Sequence, residues 1–259
     1  MKNLRVSLIQ SNIIWENVDV NLAHFSKKIN QVKGQTDLIV LPEMFSTGFS
    51  MNPKSIAEPM NGKTMTWLMN QAISADAVVT GSFIATENGQ YFNRLIWMQP
   101  DGQYSTYDKK HLFTLAKEHE SYTAGTERLL VDYKGWKICP LICYDLRFPI
   151  WSRNNVGYDL LIYMASWPTP RINAWTSLLT GRAIENQVYT IGVNRIGEDK
   201  NQLNYSGASS VVDYTGKSLY CTYDQEDVFT TELNFEKQKT FRQKLNFLAD
   251  QDEFNLVMS

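Results

Sequence analysis

The stretch Asp37-Leu-Ile-Val-Leu-Pro-Glu43 decides how the rest of the chain reads. From Asp37 to Leu41 it is a short, continuous apolar run, which suits a strand covered on both faces, and it ends in a carboxylate. Trp136-Lys-Ile-Cys-Pro-Leu-Ile142 repeats the pattern and runs into Cys143, and Asp159–Ala165 is a third such run. Outward from these, Leu4–Gln10 reads as a first strand. Val20, Leu22, Phe25, Ile29 and Val32 give Asp19–Val32 helical spacing. Thr64–Ser74 reads as a helix that leads into a buried strand over Ala77–Ala85. Tyr91–Gln99 and Gln103–Tyr107 flank a Pro-Asp-Gly turn, the strongest hairpin signal in the chain. A helix is expected between Trp136–Ile142 and Asp159–Ala165, with its start over Tyr144–Arg153. Ile172–Gln187 is a further helix and Val188–Asn194 a strand. From there to Phe235, strands alternate with Gly and Asp turns such as Asp213-Tyr-Thr-Gly216. Helices and strands mixed in this way predict a layered α/β domain with mixed sheets. With no repeat, low-complexity segment or linker, residues 1–259 are expected to form one domain.

Composition narrows the function. Of the 259 residues 43% are hydrophobic, enough for a full core, and 27 acidic side chains against 25 basic ones give a net charge of -2. That balance argues against a nucleic-acid binder, which needs clustered Lys and Arg. The apolar stretch at the N-terminus is too short and polar for a signal peptide, and the longest apolar run falls below the ~20 residues of a membrane helix. Three cysteines without an export signal suggest reduced thiols in the cytoplasm.

Two buried strands end in reactive groups, Glu43 and Cys143, and Lys109 follows the strand Gln103–Tyr107. Carboxyl ends of strands are where α/β folds bind ligands, so the three can meet in one cleft. A Cys nucleophile acts as thiolate, from an ordinary pKa of about 8.5. A helix start after Cys143 and the Lys109 ammonium would both draw that value down, while Glu43 accepts the proton. Lys109 and the backbone N–H of Tyr144 are the candidates to hold an oxyanion. Singly, each residue has a plainer reading: Glu43 as a loop residue, Lys109 as surface, and Cys139 and Cys143 as core. A papain-like Cys–His pair would need His24, His111 or His119. The spacing Cys139-x-x-x-Cys143 is neither a redox nor a zinc motif, so no metal is expected.

At these residues the chain resembles the nitrilase (carbon–nitrogen hydrolase) superfamily, and within it the omega-amidase-like branch. The resemblance spans nearly the whole chain, through Leu41-Pro-Glu-Met-Phe45, Tyr107-Asp-Lys-Lys-His-Leu-Phe113, Ile142-Cys-Tyr-Asp-Leu-Arg-Phe-Pro149 and Gly181-Arg-Ala-Ile-Glu-Asn-Gln187. It implies a four-layer αββα sandwich that pairs into homodimers. It also implies Glu43 as general base, Lys109 as oxyanion stabiliser, Cys143 as nucleophile, and a second glutamate that falls most naturally on Glu118, with Glu120 the alternative. Cys143-Tyr-Asp in place of the Cys-Trp-Glu of true nitrilases points to amides over nitriles. The pattern around Cys143, with Ser166-Trp-Pro168, resembles omega-amidases, which hydrolyse 2-oxoglutaramate or 2-oxosuccinamate through a thioester without a cofactor. Another small amide or an N-carbamoyl compound is the alternative substrate, and a non-catalytic scaffold the remote one. A carboxylate-bearing substrate calls for a guanidinium; Arg147 is the first candidate and Arg171 the second. Trp167 and Phe113 are expected to wall the pocket, although aromatic residues near core strands are also ordinary core. The stretch 236–259 carries Phe, Leu and Met residues suited to packing on a partner subunit.

Overall fold

The computed structural model describes residues 3–255. The first half runs β1 (Leu4–Gln10), α1 (Val18–Val32), β2 (Leu38–Val40), α2 (Pro53–Ile56), β3 (Glu58–Pro59), α3 (Lys63–Ala75), β4 (Val78–Glu87), β5 (Gln90–Met98), β6 (Tyr104–Asp108) and α4 (Glu118–Ser121). The second half runs β7 (Val131–Tyr133), β8 (Trp136–Ile142), β9 (Leu160–Ala165), α5 (Ile172–Asn186), β10 (Tyr189–Asn194), β11 (Ile196–Glu198), β12 (Asn204–Val212), β13 (Ser218–Tyr223), β14 (Asp227–Leu233) and α6 (Phe235–Lys244).

The strands form two mixed sheets. In the first, the order is β14-β1-β2-β4-β5-β6 with β3 beside β4, and in the second β11-β12-β10-β9-β8-β7 with β13 beside β12. Each has a parallel centre, β1-β2-β4 or β8-β9-β10, and antiparallel flanks. Period-two alternation explains the layering. Leu4, Val6, Leu8, Leu38 and Val40 face the second sheet and meet Trp136, Ile138, Leu160 and Ile162. Ile9, Ile39 and Leu41 point the other way, onto Phe25 and Ile29 of α1 and Leu68 of α3. The outer face of the second sheet packs on Trp175, Leu179 and Ala183 of α5. Gly192 lets α5 lie close, since a Cβ there would meet Leu179 at 2.5 Å. The result is the expected four-layer αββα sandwich. Among the described residues, no helix is long and apolar enough to cross a membrane.

The central expectations for strands and helices agree with these elements to within a residue or two, with one correction. No α-helix follows Cys143: Cys143–Arg147 is a single 3-10 turn. Pro149 is the cause, because proline bars the residue before it from helical geometry, and Phe148 stands at φ -112°, ψ 90°. Residues 235–244, within and just before the stretch expected to suit a partner, form α6 and pack on this chain. Phe235 sits edge-on to Trp136, while Arg242 reaches Asp159 and the Tyr158 and Gln187 carbonyls. Leu256, Val257 and Met258 of that stretch lie outside the described residues.

Candidate active site

The ends of β2, β6, β8 and β9 lie together at one end of the sandwich, and each delivers one polar group. Beyond β2 the Met44 N–H bonds to Ser82 Oγ at 2.9 Å, which anchors the segment holding Glu43. Beyond β6 the Lys109 N–H bonds to the Asn93 carbonyl at 3.0 Å, extending the β5–β6 ladder by one rung. Lys109 then donates to Glu43 Oε1 at 2.9 Å and to both Glu118 oxygens at 3.0 and 2.9 Å. All three side chains are sealed from solvent. Glu118 opens α4, and the Phe113 N–H donates to its Oε2 at 2.6 Å. Glu120 is exposed and pairs with Lys117 at 3.7 Å, so Glu118 is the glutamate that reaches Lys109. After α4 the chain crosses back over the lysine loop at Gly125, where a Cβ would fall 2.1 Å from the Asp108 carbonyl oxygen.

The Glu43 carboxylate accepts three hydrogen bonds. Oε1 takes Lys109 and the Asn93 amide at 2.8 Å; Oε2 takes the Ser166 N–H at 2.8 Å. The Cys143 thiol lies near enough for the Glu43 charge to raise its pKa. Cys143 follows β8 in a left-handed conformation, φ 43°, which turns its side chain off the strand into the cavity. The turn is held by Asp145, which accepts from the Ile142 N–H at 3.0 Å, Tyr107 Oη at 2.7 Å, and the His111 N–H and Nδ1 at 3.0 and 2.8 Å. The Cys143 turn and the lysine loop are therefore tied to the same buried carboxylate.

The electrostatics depart from expectation at the thiol. Burial, followed by the Glu43 charge, pushes Cys143 well above the ordinary thiol value, and Lys109 opposes the shift without cancelling it. Without a helix start and inside a sealed cluster, desolvation dominates. Burial also works against the Lys109 ammonium, but Glu118 and Glu43 outweigh it and its pKa is raised. Glu118 is raised by burial, with Lys109 pulling down and Glu43 pushing up. Cys139, inside β8, is pushed up to about 12 by burial and lies in the core.

Cys143 and Lys109 form the floor of a cavity of about 460 Å³. Phe113, Tyr144, Arg147, Trp167 and Arg171, all named from sequence, line it, and Phe113 meets Tyr144 edge-on at 5.0 Å. Arg147 lies 4.9 Å over the Trp167 ring and Arg171 5.1 Å over Phe113. Neither guanidinium has an acidic partner among the described residues. No histidine lines the cavity: His111 is stacked on Phe148 at 3.7 Å and turned to Asp145, and His24 bonds to Ser11 and Glu226. Among the described residues no cluster of His, Cys, Asp and Glu suits a metal ion. Sequence reading passed over Asn93 and the Ser166 N–H. The one available signal for Asn93 was an uncharged polar residue two positions from Leu95, inside a strand that buries that face.

Comparison with known proteins shows the family. The carbon-nitrogen hydrolase family pattern covers residues 5–243. The chain is 41% identical to an omega-amidase YafV of Yersinia enterocolitica, over 99% of this chain and 100% of that protein. It is 30% identical to a 2-oxoglutaramate amidase of Bacillus subtilis, over 95% and 96% of the two chains. Among solved structures, a carbon–nitrogen hydrolase superfamily protein of Xanthomonas campestris, with an arsenic adduct in its active site, superposes with a TM-score of 0.98 at 41% identity, covering 99% of this chain and all of that one. By sequence and by fold, the chain belongs to the carbon–nitrogen hydrolase family, in the omega-amidase-like branch of the nitrilase superfamily.

Proposed function

We propose that this enzyme hydrolyses the terminal amide of a small 2-oxo dicarboxylate monoamide, 2-oxoglutaramate or 2-oxosuccinamate, to the acid and ammonia through a thioester on Cys143. The observation that carries the reading is a thiol joined to a sealed Glu43–Lys109–Glu118 cluster beneath a cavity lined by unpaired Arg147. Because the thiol rests protonated, Glu43 Oε2 takes its proton as sulfur attacks the amide carbonyl carbon. Negative charge moves to the carbonyl oxygen, which Lys109 and the Tyr144 N–H stabilise. Two of the three Lys109 hydrogen bonds go to one carboxylate, Glu118, so one N–H can turn to the oxyanion while Glu118 keeps the other. Protonated Glu43 gives its proton to the leaving nitrogen, the C–N bond breaks, and ammonia departs. Glu43 then takes a proton from water, hydroxide attacks the thioester carbon, and the sulfur leaves with the proton returned.

The cavity lining supports a carboxylate-bearing amide. Asp199 is occupied by Tyr205 Oη at 2.9 Å and the Asn201 and Leu203 N–H groups at 2.8 and 3.0 Å. Glu16 is held by Ser50 Oγ at 2.6 Å. A substrate carboxylate finds Arg147 or Arg171, neither of which has an acidic partner among the described residues. Action as a cytoplasmic homodimer without a cofactor belongs to the same proposal; sedimentation velocity checks the pairing.

Ammonia release across a panel tests the substrate. The 2-oxo monoamides should exceed neutral amides of equal length by about 10- to 100-fold in kcat/KM. No turnover of either 2-oxo compound, with turnover of a neutral amide or an N-carbamoyl compound, would overturn the substrate. Acid-quenched turnover followed by peptide mass analysis should find the acyl group on Cys143.

A further inference from the structure

We infer that Asn93 is a positioning residue for this reaction: by donating to Glu43 Oε1 and Glu118 Oε1 together, it leaves Glu43 Oε2 as the oxygen that exchanges protons with Cys143. The inference rests on the reading of Cys143 and Glu43 given above.

Asn93 lies in β5, opposite Ile84 of β4, and is fully buried. Its Nδ2 is 2.8 Å from Glu43 Oε1 and 3.2 Å from Glu118 Oε1, one hydrogen for each carboxylate. The amide cannot be turned over, because its oxygen would then face two carboxylate oxygens. Its Oδ1 accepts nothing from the described residues, so the side chain is held by what it donates. Its backbone carbonyl takes the Lys109 N–H. One residue thus fixes the lysine and both of the carboxylates that flank it.

The consequence is an asymmetry within Glu43. Lys109 and Asn93 fill both lone-pair positions of Oε1, while Ser166 fills only one on Oε2. With Asn93 gone, Oε1 regains an open position, and the two carboxylates share a single ammonium with one donor fewer. A proton can then settle between them instead of cycling to sulfur and nitrogen. The titratable and charged groups that face Glu43 are Lys109 after β6, Glu118 in α4, Cys143 after β8, Tyr122 after α4 and Tyr205 in β12.

Asn93→Ala and Asn93→Asp are compared with the parent enzyme by pH profiles of kcat and kcat/KM for ammonia release, with melting as a control. Asn93→Ala should lower kcat about 100-fold with KM little changed. It should also move the acid limb of kcat/KM to higher pH by about one unit. Asn93→Asp, close to isosteric, puts a third carboxylate around the same ammonium and should move the limb further. A role in packing alone would lower the melting temperature and leave the limb in place, and an unmoved limb in both variants overturns the inference. If neither variant folds, the parent enzyme decides: both side-chain amide hydrogens of Asn93 should be protected from exchange, and rapid exchange overturns the inference. Cys143→Ala is the independent arm. Its full activity would sink the catalytic reading itself, a different failure from an inactive Cys143→Ala with unmoved Asn93 profiles.

Discussion

The strands β2 and β8 each carry an ionisable group near either end, and the two ends behave differently. At their starts, Asp37 precedes β2 and Lys134 precedes β8; the two pair across the sheets, joined by Arg5 at 3.1 Å. At their finishes, Glu43 and Cys143 meet around Lys109. Asp37 is only 7% exposed, but its partners Arg5 and Lys134 are 43% and 41% exposed, so water screens the cluster. At the other end the Glu43, Lys109 and Glu118 side chains are fully buried, and solvent does not screen their charges. Solvent access, more than the residues themselves, separates an electrostatic clip from a reactive site.

Substitutions at the two ends should separate activity from stability. The largest effect is expected at Cys143→Ala, which should lower ammonia release by about 10⁴-fold or more while melting stays near the parent value. The left-handed backbone there is no harder for Ala than for Cys. Activity near the parent level would remove Cys143 from the mechanism. Arg147→Ala should lower kcat/KM about 10- to 100-fold on carboxylate-bearing amides and leave neutral amides unchanged; equal losses on both would contradict its role. The smallest effect belongs to the opposite end. Asp37→Asn should leave kcat and KM unchanged and cost about 1–2 kcal/mol in urea unfolding at neutral pH.

The pH dependence of that clip has a definite sign. Burial raises the Asp37 pKa, but hydrogen bonds from Arg5 and Lys134 outweigh it and hold it at about 2, below its ordinary 3.8. The clip's contribution is therefore complete above about pH 4 and is lost as pH falls toward 2. Asp37→Asn should flatten that part of the stability curve. An unchanged curve would mean that other carboxylates, Glu226 among them, govern acid unfolding.

Much of this was legible in the sequence because reactive groups stood at the ends of apolar strands. Glu43 and Cys143 each follow such a run, Lys109 follows the polar hairpin strand β6, and the order of three motifs carried the family. Asn93 was not legible: within Gln90–Met98 it is one polar residue in a strand, and only folding brings the carboxylates that follow β2 and open α4 to it. The state of the thiol was misjudged for a related reason. A helix dipole can be anticipated from sequence, but Pro149 limits the turn to a few residues, and the burial that governs the thiol exists only once both sheets close over it. The sequence favours Glu118 over Glu120, and the direction of α4 turns Glu118 to Lys109 and Glu120 to solvent.

The left-handed turn at Cys143 also limits which chemistries this scaffold can adopt. A branched β-carbon is poorly tolerated at positive φ, so threonine is a poor replacement nucleophile there, whereas serine fits the same backbone. Descendants of this fold that change their attacking atom would therefore be confined to unbranched side chains, unless the whole turn is rebuilt.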